Sequence, residues 1–363
     1  MKNKIRVGII FGGKSAEHEV SLQSAKNVAD AIDKHKYEVV LIGIDKTGRW
    51  LLPDQSKFLL NDRDPKRIAL NSTNKQNIAL VPQGGGEVTN LTDVNSKLSI
   101  DVAFPILHGP FGEDGTVQGL LKLAGVPFVG ADVLGSAVGM DKDVMKRLLR
   151  DAGIPVGAFV VVTEDTPTEF DTVAEKLGLP LFVKPANLGS SVGVSKVKDK
   201  QEFEQAIALA FQYDSKVLIE EYIEGRELEC AVLGNREPTA SVVGEVIPNH
   251  DFYSYEAKYI DEHGAGLQIP VDISPETSER VRELAIRTFQ TLACEGLGRV
   301  DFFLQQDGTL LVNEINTMPG FTKISMYPRL WEASGIPYPD LIDRLITLAF
   351  KRFERDQKHK SAY

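Results

Sequence analysis

The segment Gly298–Asn316, GRVDFFLQQDGTLLVNEIN, constrains the fold more than any other part of the chain, because it has the pattern of a β-hairpin. Asp307-Gly308 is a strong signal for a two-residue turn, since a type I′ turn needs positive φ at both central positions. A two-residue loop at this point predicts that Asp301 faces Glu314 on the neighbouring strand. The hairpin therefore brings two carboxylates together.

Polar side chains share one face of this hairpin. The same register pairs Gln306 with Thr309 and Arg299 with Asn316, and residues two apart on a strand project from the same side. Two opposed carboxylates, with Cβ atoms about 5 Å apart, repel unless a proton or cation lies between them. Asp, Glu and Asn supply hard oxygen ligands, which suit Mg²⁺ or Mn²⁺ and disfavour zinc. A surface hairpin in which Arg299 neutralises the acids is the alternative, and the segment alone leaves both open.

The composition is ordinary for a globular protein. Its 363 residues suit two or three domains, and the formal net charge of -10 argues against general affinity for nucleic acid or anionic membranes. Cys230 and Cys294 are too far apart for a disulfide framework or a CxxC metal site, so buried free thiols are expected. The sequence has neither an 18-residue apolar run nor a signal-peptide core, so we expect a cytoplasmic protein.

Alternating strand and helix patterns predict an α/β fold. Strands are predicted at 5–11, 39–44 and 101–107, with a helix at 20–32 after a glycine-rich turn. This order implies an N-terminal parallel sheet with right-handed crossovers. The polar stretch 61–99 is expected to be a peripheral excursion rather than part of the core.

Two further units follow in the sequence. Ser274 is a predicted N-cap with Pro275 at the first helical position, and an apolar stripe follows it. The other predicted elements are strands at 159–163, 181–184, 194–197 and 217–221 and helices at 142–152, 202–211 and 341–353.

A loop rich in glycine and serine, Asn187–Gly193, lies between two predicted strands. Its backbone N–H groups could fold over phosphate oxygens, although it lacks the ending of a Walker A loop. Lys184, at the end of an apolar strand, needs an anionic partner if it is buried, and a nucleotide phosphate would supply one. Lys142 is a weaker candidate. An ordinary hairpin connection remains the alternative for the loop.

Acidic residues mark two other candidate sites. Glu220 and Glu221 end the strand VLIEE, where they could accept hydrogen bonds from adenine and ribose or be ordinary surface acids. Glu17 follows Gly12-Gly13 near the start of a helix, where its negative charge could interact favourably with the helix dipole or bind an ammonium group. The GxGxxG spacing is absent, which argues against a dinucleotide-dependent enzyme.

Seven segments in order resemble the D-alanine:D-alanine ligase family of the ATP-grasp superfamily, over nearly the whole chain. They are GGKSAEHEVS from Gly12, HGPFGEDGT from His108, MDKDVMKRLL from Met140, VKPANLGSSVGVSKV from Val183, FYSYEAKY from Phe252, GRVDFF from Gly298 and NEINTMPGFTKISMYP from Asn313. The resemblance implies a three-domain ATP-grasp architecture: an N-terminal α/β domain at 1–139, a central lid domain at 140–223 and a C-terminal domain at 224–363. ATP would lie between the last two domains, and a loop at 249–268 would cover the substrates.

The resemblance also implies roles for individual residues in binding ATP and two Mg²⁺ or Mn²⁺ ions. Asp301, Glu314 and Asn316 would hold the metal ions. The implied nucleotide-binding residues are Lys142, Lys184, Ser190, Ser191, Glu220, Glu221, Ile223, Glu227, Lys258 and Asn313.

The implied reaction joins two D-alanine molecules through an acyl phosphate, for peptidoglycan precursors. Glu17 would hold the first ammonium and connect through Ser190 to Tyr259, and Arg299 with the N–H of Gly320 would stabilise the oxyanion. His108, Ser325 and Met326 would complete the substrate sites. Tyr259 favours D-alanine as second substrate over D-lactate or D-serine, and the intact set of implied ligands argues against a non-catalytic ATP-binding regulator. Family members are usually dimers, so we expect a homodimer.

Overall fold

Three larger sheets organise the chain in this computed structural model, which describes residues 4–359 except 56, 63, 65–66, 72–75, 94–96 and 249–264. Each sheet carries its own helices, and the mixed α/β class predicted from the sequence is confirmed. Among the described residues, no helix is long and apolar enough to cross a lipid bilayer.

The first sheet is mixed rather than wholly parallel. The first part of the chain forms β1 (Ile5–Gly12), β2 (Tyr37–Ile44), β3 (Trp50–Leu52), β4 (Leu59–Leu60), β5 (Ala69–Leu70), β6 (Gln76–Leu80), β7 (Glu87–Asn90), β8 (Lys97–Ser99) and β9 (Val102–Ile106). Seven of these strands run in the order β8-β7-β6-β3-β2-β1-β9, while β4 and β5 pair separately. The predicted parallel pairing is confirmed for β1 with β2 and with β9, and the other neighbours are antiparallel.

The expectation that 61–99 lies outside the core is wrong for several parts of this stretch, beginning with Ile68 and Leu70, which belong to the core beside β1. Strands β6 to β8 extend the first sheet, and Ile78, Leu80 and Val88 are buried in its core. These strands are short, and a glycine-rich turn separates β6 from β7, so their apolar residues are too few to stand out in the sequence.

Four helices accompany or follow the first sheet: α1 (His18–Ala31), α2 (Thr116–Ala124), α3 (Val133–Met140) and α4 (Lys142–Asp151). The start of α4 is firmly capped, because the Asp141 carboxylate accepts hydrogen bonds from the N–H groups of Asp143 and Val144, each at 3.1 Å. Lys216 pairs with this carboxylate at 2.5 Å. The cap fixes the direction in which the first turn of α4 presents Lys142.

The middle of the chain forms a small antiparallel sheet with two helices on it. Its elements are β10 (Phe159–Thr163), α5 (Phe170–Leu177), β11 (Leu181–Pro185), β12 (Ser195–Val197), α6 (Lys200–Ala210) and β13 (Lys216–Glu221). The strand order is β10-β13-β11-β12. A separate hydrophobic core, with Val183, Phe203 and Ile219 among its members, lies between this sheet and its helices.

The last part of the chain forms an antiparallel five-stranded sheet. Its elements are β14 (Arg226–Gly234), β15 (Thr239–Pro248), β16 (Ala265–Gln268), α7 (Pro275–Thr291), β17 (Gly296–Leu304), β18 (Leu310–Asn316), α8 (Met326–Ala333) and α9 (Tyr338–Asp356). The predicted cap of α7 is confirmed, since Ser274 Oγ accepts from the Thr277 N–H at 3.1 Å. Most of the predicted covering loop, 249–264, lies outside the described residues, and its last four residues form β16.

The hairpin of β17 and β18 has the predicted pairs at its open end. Asp301 pairs with Glu314, and Arg299 pairs with Asn316. The register that brings the two carboxylates face to face is thus confirmed.

The turn of this hairpin differs from the prediction. Gln305 rather than Gln306 pairs with Thr309, through an N–H to O bond of 2.9 Å, so the loop has three residues. Gly308 has a φ of 83° while Asp307 is not in the left-handed region, which excludes a type I′ turn. A β-bulge at Asn313 inserts one residue and cancels this offset before the carboxylates are reached.

The first sheet and the last helices share one core. Phe104 packs against Phe321 at a ring distance of 5.8 Å, and residues of α8 and α9 belong to the same cluster as those of β1. Arg352 of α9 is 4% exposed and donates to the carbonyl oxygens of Phe128 and Gly130. The first and last parts of the chain are therefore joined by packing and by buried hydrogen bonds.

Candidate active site

A cavity of about 330 Å³ lies between the middle sheet and the last sheet. Nine of the ten residues predicted to bind a nucleotide line it, and the tenth, Lys258, lies outside the described residues. The nine are Lys142, Lys184, Ser190, Ser191, Glu220, Glu221, Ile223, Glu227 and Asn313. Residues from β11, β13, β14, β18 and α4 thus converge on one space of nucleotide size.

Lys142 connects three parts of this cavity. Its ammonium donates to the carbonyl oxygen of Leu188 at 2.6 Å and lies 3.3 Å from Glu314 Oε2. Its backbone N–H donates to the Ala186 oxygen at 3.0 Å. The start of α4, the glycine- and serine-rich loop and the hairpin therefore meet at one buried cation.

A buried ion-pair cluster forms the inner wall. Glu220 Oε1 lies 2.7 Å from the Lys146 ammonium, and Glu220 Oε2 is paired with Lys184. Burial alone would raise the pKa of Glu220, but the attraction of Lys146 and Lys184 outweighs it and holds this pKa at about 2. Glu220 is therefore an ionised acceptor deep in the cavity.

The loop over the cavity, Asn187–Gly193, is called the flap below. Its start is fixed by Asp214, which accepts from both the N–H and the side-chain amide of Asn187, at 2.7 and 2.9 Å. At its tip, Ser190 and Ser191 have φ values of 53° and 59°. A left-handed backbone costs a non-glycine residue about 1 kcal/mol or more, and such strain tends to occur at functional sites.

The flap tip reaches the first part of the chain. Ser190 Oγ donates a hydrogen bond to Glu17 Oε1, and Glu17 directly precedes α1 and is 7% exposed. The sequence linked these two residues, and the structure brings them into contact. The third residue of the predicted link, Tyr259, lies outside the described residues.

His108 is buried near Glu17. Its Nδ1 donates to the carbonyl oxygen of Met318 at 3.0 Å, and its Nε2 has no hydrogen-bond partner among the described residues. Burial lowers the pKa of His108, although the charge of Glu17 opposes this. The imidazole is thus neutral, and its buried Nε2 carries the lone pair.

Glu113, which the sequence did not single out, holds the other side of Met318. Its carboxylate accepts from the Met318 N–H at 3.1 Å and from the Gly109 N–H at 2.7 Å. Burial, followed by repulsion from Glu17, raises the pKa of Glu113 to about 8. Together with His108, Glu113 fixes the backbone two residues before Gly320.

On the hairpin face, Arg299 is paired with carboxylates on both sides. Its guanidinium makes two bonds of 2.7 Å to Asp301 and lies 2.7 Å from Glu229 Oε2. The Asn316 amide donates to Asp301 at 3.0 Å. The sequence left open a hairpin in which Arg299 neutralises the acids, and the pairing of Arg299 with Asp301 that this alternative requires is present.

The donor set nevertheless fits a hard divalent cation. Asp301 and Glu314 are opposite each other, Asn316 supplies an amide oxygen, and all three groups are oxygen donors, as Mg²⁺ and Mn²⁺ prefer. Within the described ranges, no group of three or more His, Cys, Asp or Glu is arranged for a metal ion. The hairpin would thus offer two carboxylates and an amide to such an ion.

The residues predicted for the second substrate lie elsewhere. Ser325 precedes α8, where its hydroxyl is 2.7 Å from that of Thr322, and Met326 is 6% exposed in the core. Neither is among the residues that line the cavity, and Gly320 lies in the turn before them. The structure therefore does not bring these three residues to the nucleotide side of the site.

Other cavity residues were not singled out from the sequence. Lys146 is 2% exposed and lies four residues after Lys142 on the same face of α4. The spacing i, i+4 is the signal that could have identified it. The aromatic side chains of Phe182, Tyr222 and Phe303 also line the cavity.

Lysines and a strained flap between two antiparallel sheets, with carboxylates at the rim and on a facing hairpin, are typical of the ATP-grasp class. Family models agree with this class. Residues 6–131 match the model described as D-ala D-ala ligase N-terminus, and residues 148–347 match D-ala D-ala ligase C-terminus. The chain belongs to the D-alanine–D-alanine ligase family.

Three relatives support this assignment. The chain is 56% identical to a D-alanine–D-alanine ligase of Oceanobacillus iheyensis, over 99% of both chains. It resembles the solved D-alanine–D-alanine ligase of Coxiella burnetii with a TM-score of 0.86 and 40% identity, over 98% of this chain and 96% of that one. The ligase of Bacillus anthracis, solved in complex with ATP, has a TM-score of 0.72 and 29% identity, over 97% of this chain and 99% of that one.

Proposed function

We propose that the protein joins two D-alanine molecules into D-alanyl-D-alanine with the conversion of ATP to ADP and phosphate. The observation that carries this proposal is the convergence of nine predicted nucleotide-binding residues on one cavity, beside a hairpin of oxygen ligands, in a member of this ligase family. The dipeptide would serve peptidoglycan precursor synthesis.

The nucleotide half of the site would work by charge. Lys142 and Lys184 would meet the α- and β-phosphates, and Ser190 and Ser191 of the flap would cover them. Glu220 would accept a hydrogen bond from the adenine amine, and Glu227 would bind the ribose. The aromatic walls would exclude water around the base.

The metal half would be held by Asp301, Glu314 and Asn316. Two Mg²⁺ or Mn²⁺ ions, when bound, would offset the charge of the phosphate groups. Glu314 lies 3.3 Å from Lys142, which is proposed to bind phosphate, and pairs with Asp301 of the facing strand, which supports this assignment.

The chemical steps would take place on the side of Glu17. In the first step, the carboxylate of one D-alanine attacks the γ-phosphorus and ADP leaves, giving an acyl phosphate. In the second step, the neutral amine of another D-alanine attacks the carbonyl carbon and phosphate leaves. Glu17 would hold the first ammonium, while Arg299 and the Gly320 N–H would stabilise the oxyanion.

The side chain of Arg299 is held in position by ion pairs. Carboxylates of Asp301 and Glu229 hold its guanidinium from two sides, which limits its rotamers before any substrate is bound. The buried contacts of His108 and Glu113 with Met318 would likewise fix the turn that carries the Gly320 N–H.

The function is tested by measuring phosphate release from ATP with Mg²⁺ and D-alanine, and by identifying the products by mass spectrometry. D-Alanyl-D-alanine is the expected product, and its absence would refute the proposal. Adding D-lactate or D-serine in competition with D-alanine tests the identity of the second substrate. If the product that joins D-alanine to D-lactate or D-serine exceeded D-alanyl-D-alanine, the added compound would be the preferred second substrate.

The arrangement of the chain is also part of the proposal. We propose domains at 1–139, 140–223 and 224–363, a homodimer and a cytoplasmic location. Limited proteolysis should cut near the two domain boundaries, and light scattering should give twice the chain mass.

A further inference from the structure

Three lysines among the described residues line the cavity, Lys142, Lys146 and Lys184, and the proposed function gives no role to Lys146. It is 2% exposed, whereas a lysine is rarely buried so completely without a partner. Its ammonium lies 2.7 Å from Glu220 Oε1 and 5.9 Å from the centre of the Phe159 ring. Burial lowers the pKa of Lys146, and Glu220 opposes this by attraction.

Lys184, the second cation that pairs with Glu220, is also proposed to bind phosphate. Lys184 pairs with Oε2 of Glu220, yet it also lines the cavity and is the lysine proposed to bind phosphate. When Lys184 turns toward a phosphate, Glu220 loses one of its two counter-ions. A buried carboxylate without a counter-ion takes up a proton and becomes a donor as well as an acceptor.

We infer that Lys146 is a positioning residue for nucleobase selection, which keeps Glu220 an ionised acceptor after Lys184 has moved to the phosphates. The inference rests on the proposed function and extends it from nucleotide binding to the choice of base. An ionised Glu220 accepts from the 6-amino group of adenine and repels the 6-oxo group of hypoxanthine or guanine. A protonated Glu220 would bind either group. The preference for adenine therefore depends on Lys146, the cation that stays beside Glu220.

The position of Lys146 suits this role better than that of a phosphate ligand. It lies one helical turn beyond Lys142, on the buried face of α4 with Met145 and Leu149 beside it. From there the ammonium contacts Oε1 of Glu220, whereas Lys184 contacts Oε2. Lys146 therefore holds one oxygen whether or not Lys184 holds the other.

The test compares ATP with ITP, which carries a 6-oxo group, in the D-alanine ligation assay. For Lys146→Met, the ratio of kcat/KM for ATP to that for ITP should fall on the order of tenfold, since a hydrogen bond to a charged group is lost or weakened. The fall should come from KM rather than from kcat. Lys146→Arg keeps a cation at this position and should keep the ratio within about threefold of the parent.

Arg150→Met is the matched control. Arg150 lies one turn further along α4 and contacts the same Phe159 ring at 5.7 Å, but it is exposed and does not line the cavity. Its loss should leave the ratio unchanged. Lys146→Gln, which keeps a neutral donor for Glu220, replaces Lys146→Met if that variant does not fold, with the same fall expected.

Two results would overturn the inference. An unchanged ATP to ITP ratio in the neutral Lys146 variants, whatever their kcat, would make Lys146 a structural ion pair only. An equal fall in Arg150→Met would trace the effect to the helix rather than to Glu220. Failure of the proposed function is a separate result, because the parent itself would then form no dipeptide with ATP.

Discussion

Ser190 donates a hydrogen bond to Glu17, a residue 173 positions away, and so ties the flap of the middle sheet to the turn before α1. The bond joins the loop proposed to cover the phosphates to the carboxylate proposed to hold the first substrate. The hydrogen bond between Ser190 and Glu17 would therefore help to close the site over both the nucleotide and the first amino acid.

Removing this hydroxyl should weaken closure of the flap. A hydrogen bond to a charged group contributes about 1.5–3 kcal/mol, so Ser190→Ala should lower kcat by about 10–100-fold while ATP still binds. Steady-state kinetics and nucleotide titration measure the two effects. Ser195→Ala, at the start of β12 beyond the flap, is the matched control and should keep the parental kcat. An unchanged kcat in Ser190→Ala would refute the closing role.

The opposed carboxylates of the hairpin allow a test of the metal site. Glu314→Gln keeps the shape of the side chain but removes its charge, so turnover should be lost at every Mg²⁺ concentration while the fold survives. ADP release across a Mg²⁺ titration measures turnover, and thermal unfolding measures the fold. Asp307→Asn changes a carboxylate in the exposed turn of the same hairpin and should leave the Mg²⁺ dependence intact. Near-normal activity in Glu314→Gln would contradict the metal role.

Local signals predicted the hairpin because pairing and turn chemistry lie within one short segment. The facing of Asp301 and Glu314 is correct, although it arises from a three-residue loop and a bulge at Asn313 rather than from a two-residue turn. Alternation along a strand fixes which face a residue takes, but it does not reveal two offsets that cancel. The cap at Ser274 was equally predictable, since N-cap and Pro preferences act over a few residues.

Long-range charge pairing could not be read from the sequence. Glu113 and Lys146 acquire their importance from residues far along the chain, Met318 and Glu220, and from burial that only the packed structure defines. The placement of β6 to β8 on the first sheet likewise depends on strand partners rather than on their own short patterns. Sequence motifs thus indicated the residues that line the cavity better than the residues that position them.

Tyr327 offers a test of the shared core. Its ring is fully buried, and its hydroxyl donates to the carbonyl oxygen of Val232 at 3.1 Å, between α8 and β14. Tyr327→Phe leaves that buried acceptor without its donor, which should lower the free energy of unfolding by about 1–3 kcal/mol. Urea denaturation measures this, with Tyr213→Phe at an exposed position as the control, expected within about 0.5 kcal/mol of the parent. Equal stability of the two variants would mean that the hydroxyl bond does not contribute.

Glu113 should make stability depend on pH in a defined window. Burial and the nearby Glu17 raise the pKa of Glu113 from 4.5 to about 8, against the attraction of Lys142 and the N–H bonds from Gly109 and Met318. Between these two pH values the folded state binds a proton that the unfolded state has released. The free energy of unfolding should therefore fall as pH rises from about 4.5 to 8 and level off above that.

Glu113→Gln removes this titration, so the difference in unfolding free energy between parent and variant should change with pH across that window. Urea denaturation at half-unit pH steps measures the difference. Glu175→Gln, on the exposed side of α5, controls for the loss of one carboxylate and should run parallel to the parent. Parallel pH profiles of the parent and Glu113→Gln would show that Glu113 has the same pKa in the folded and unfolded states, so that it is ionised above about pH 4.5. The carboxylate that holds Met318 would then be negatively charged beside Glu17, and a bound ammonium group would add to the attraction of Lys142 in offsetting that repulsion.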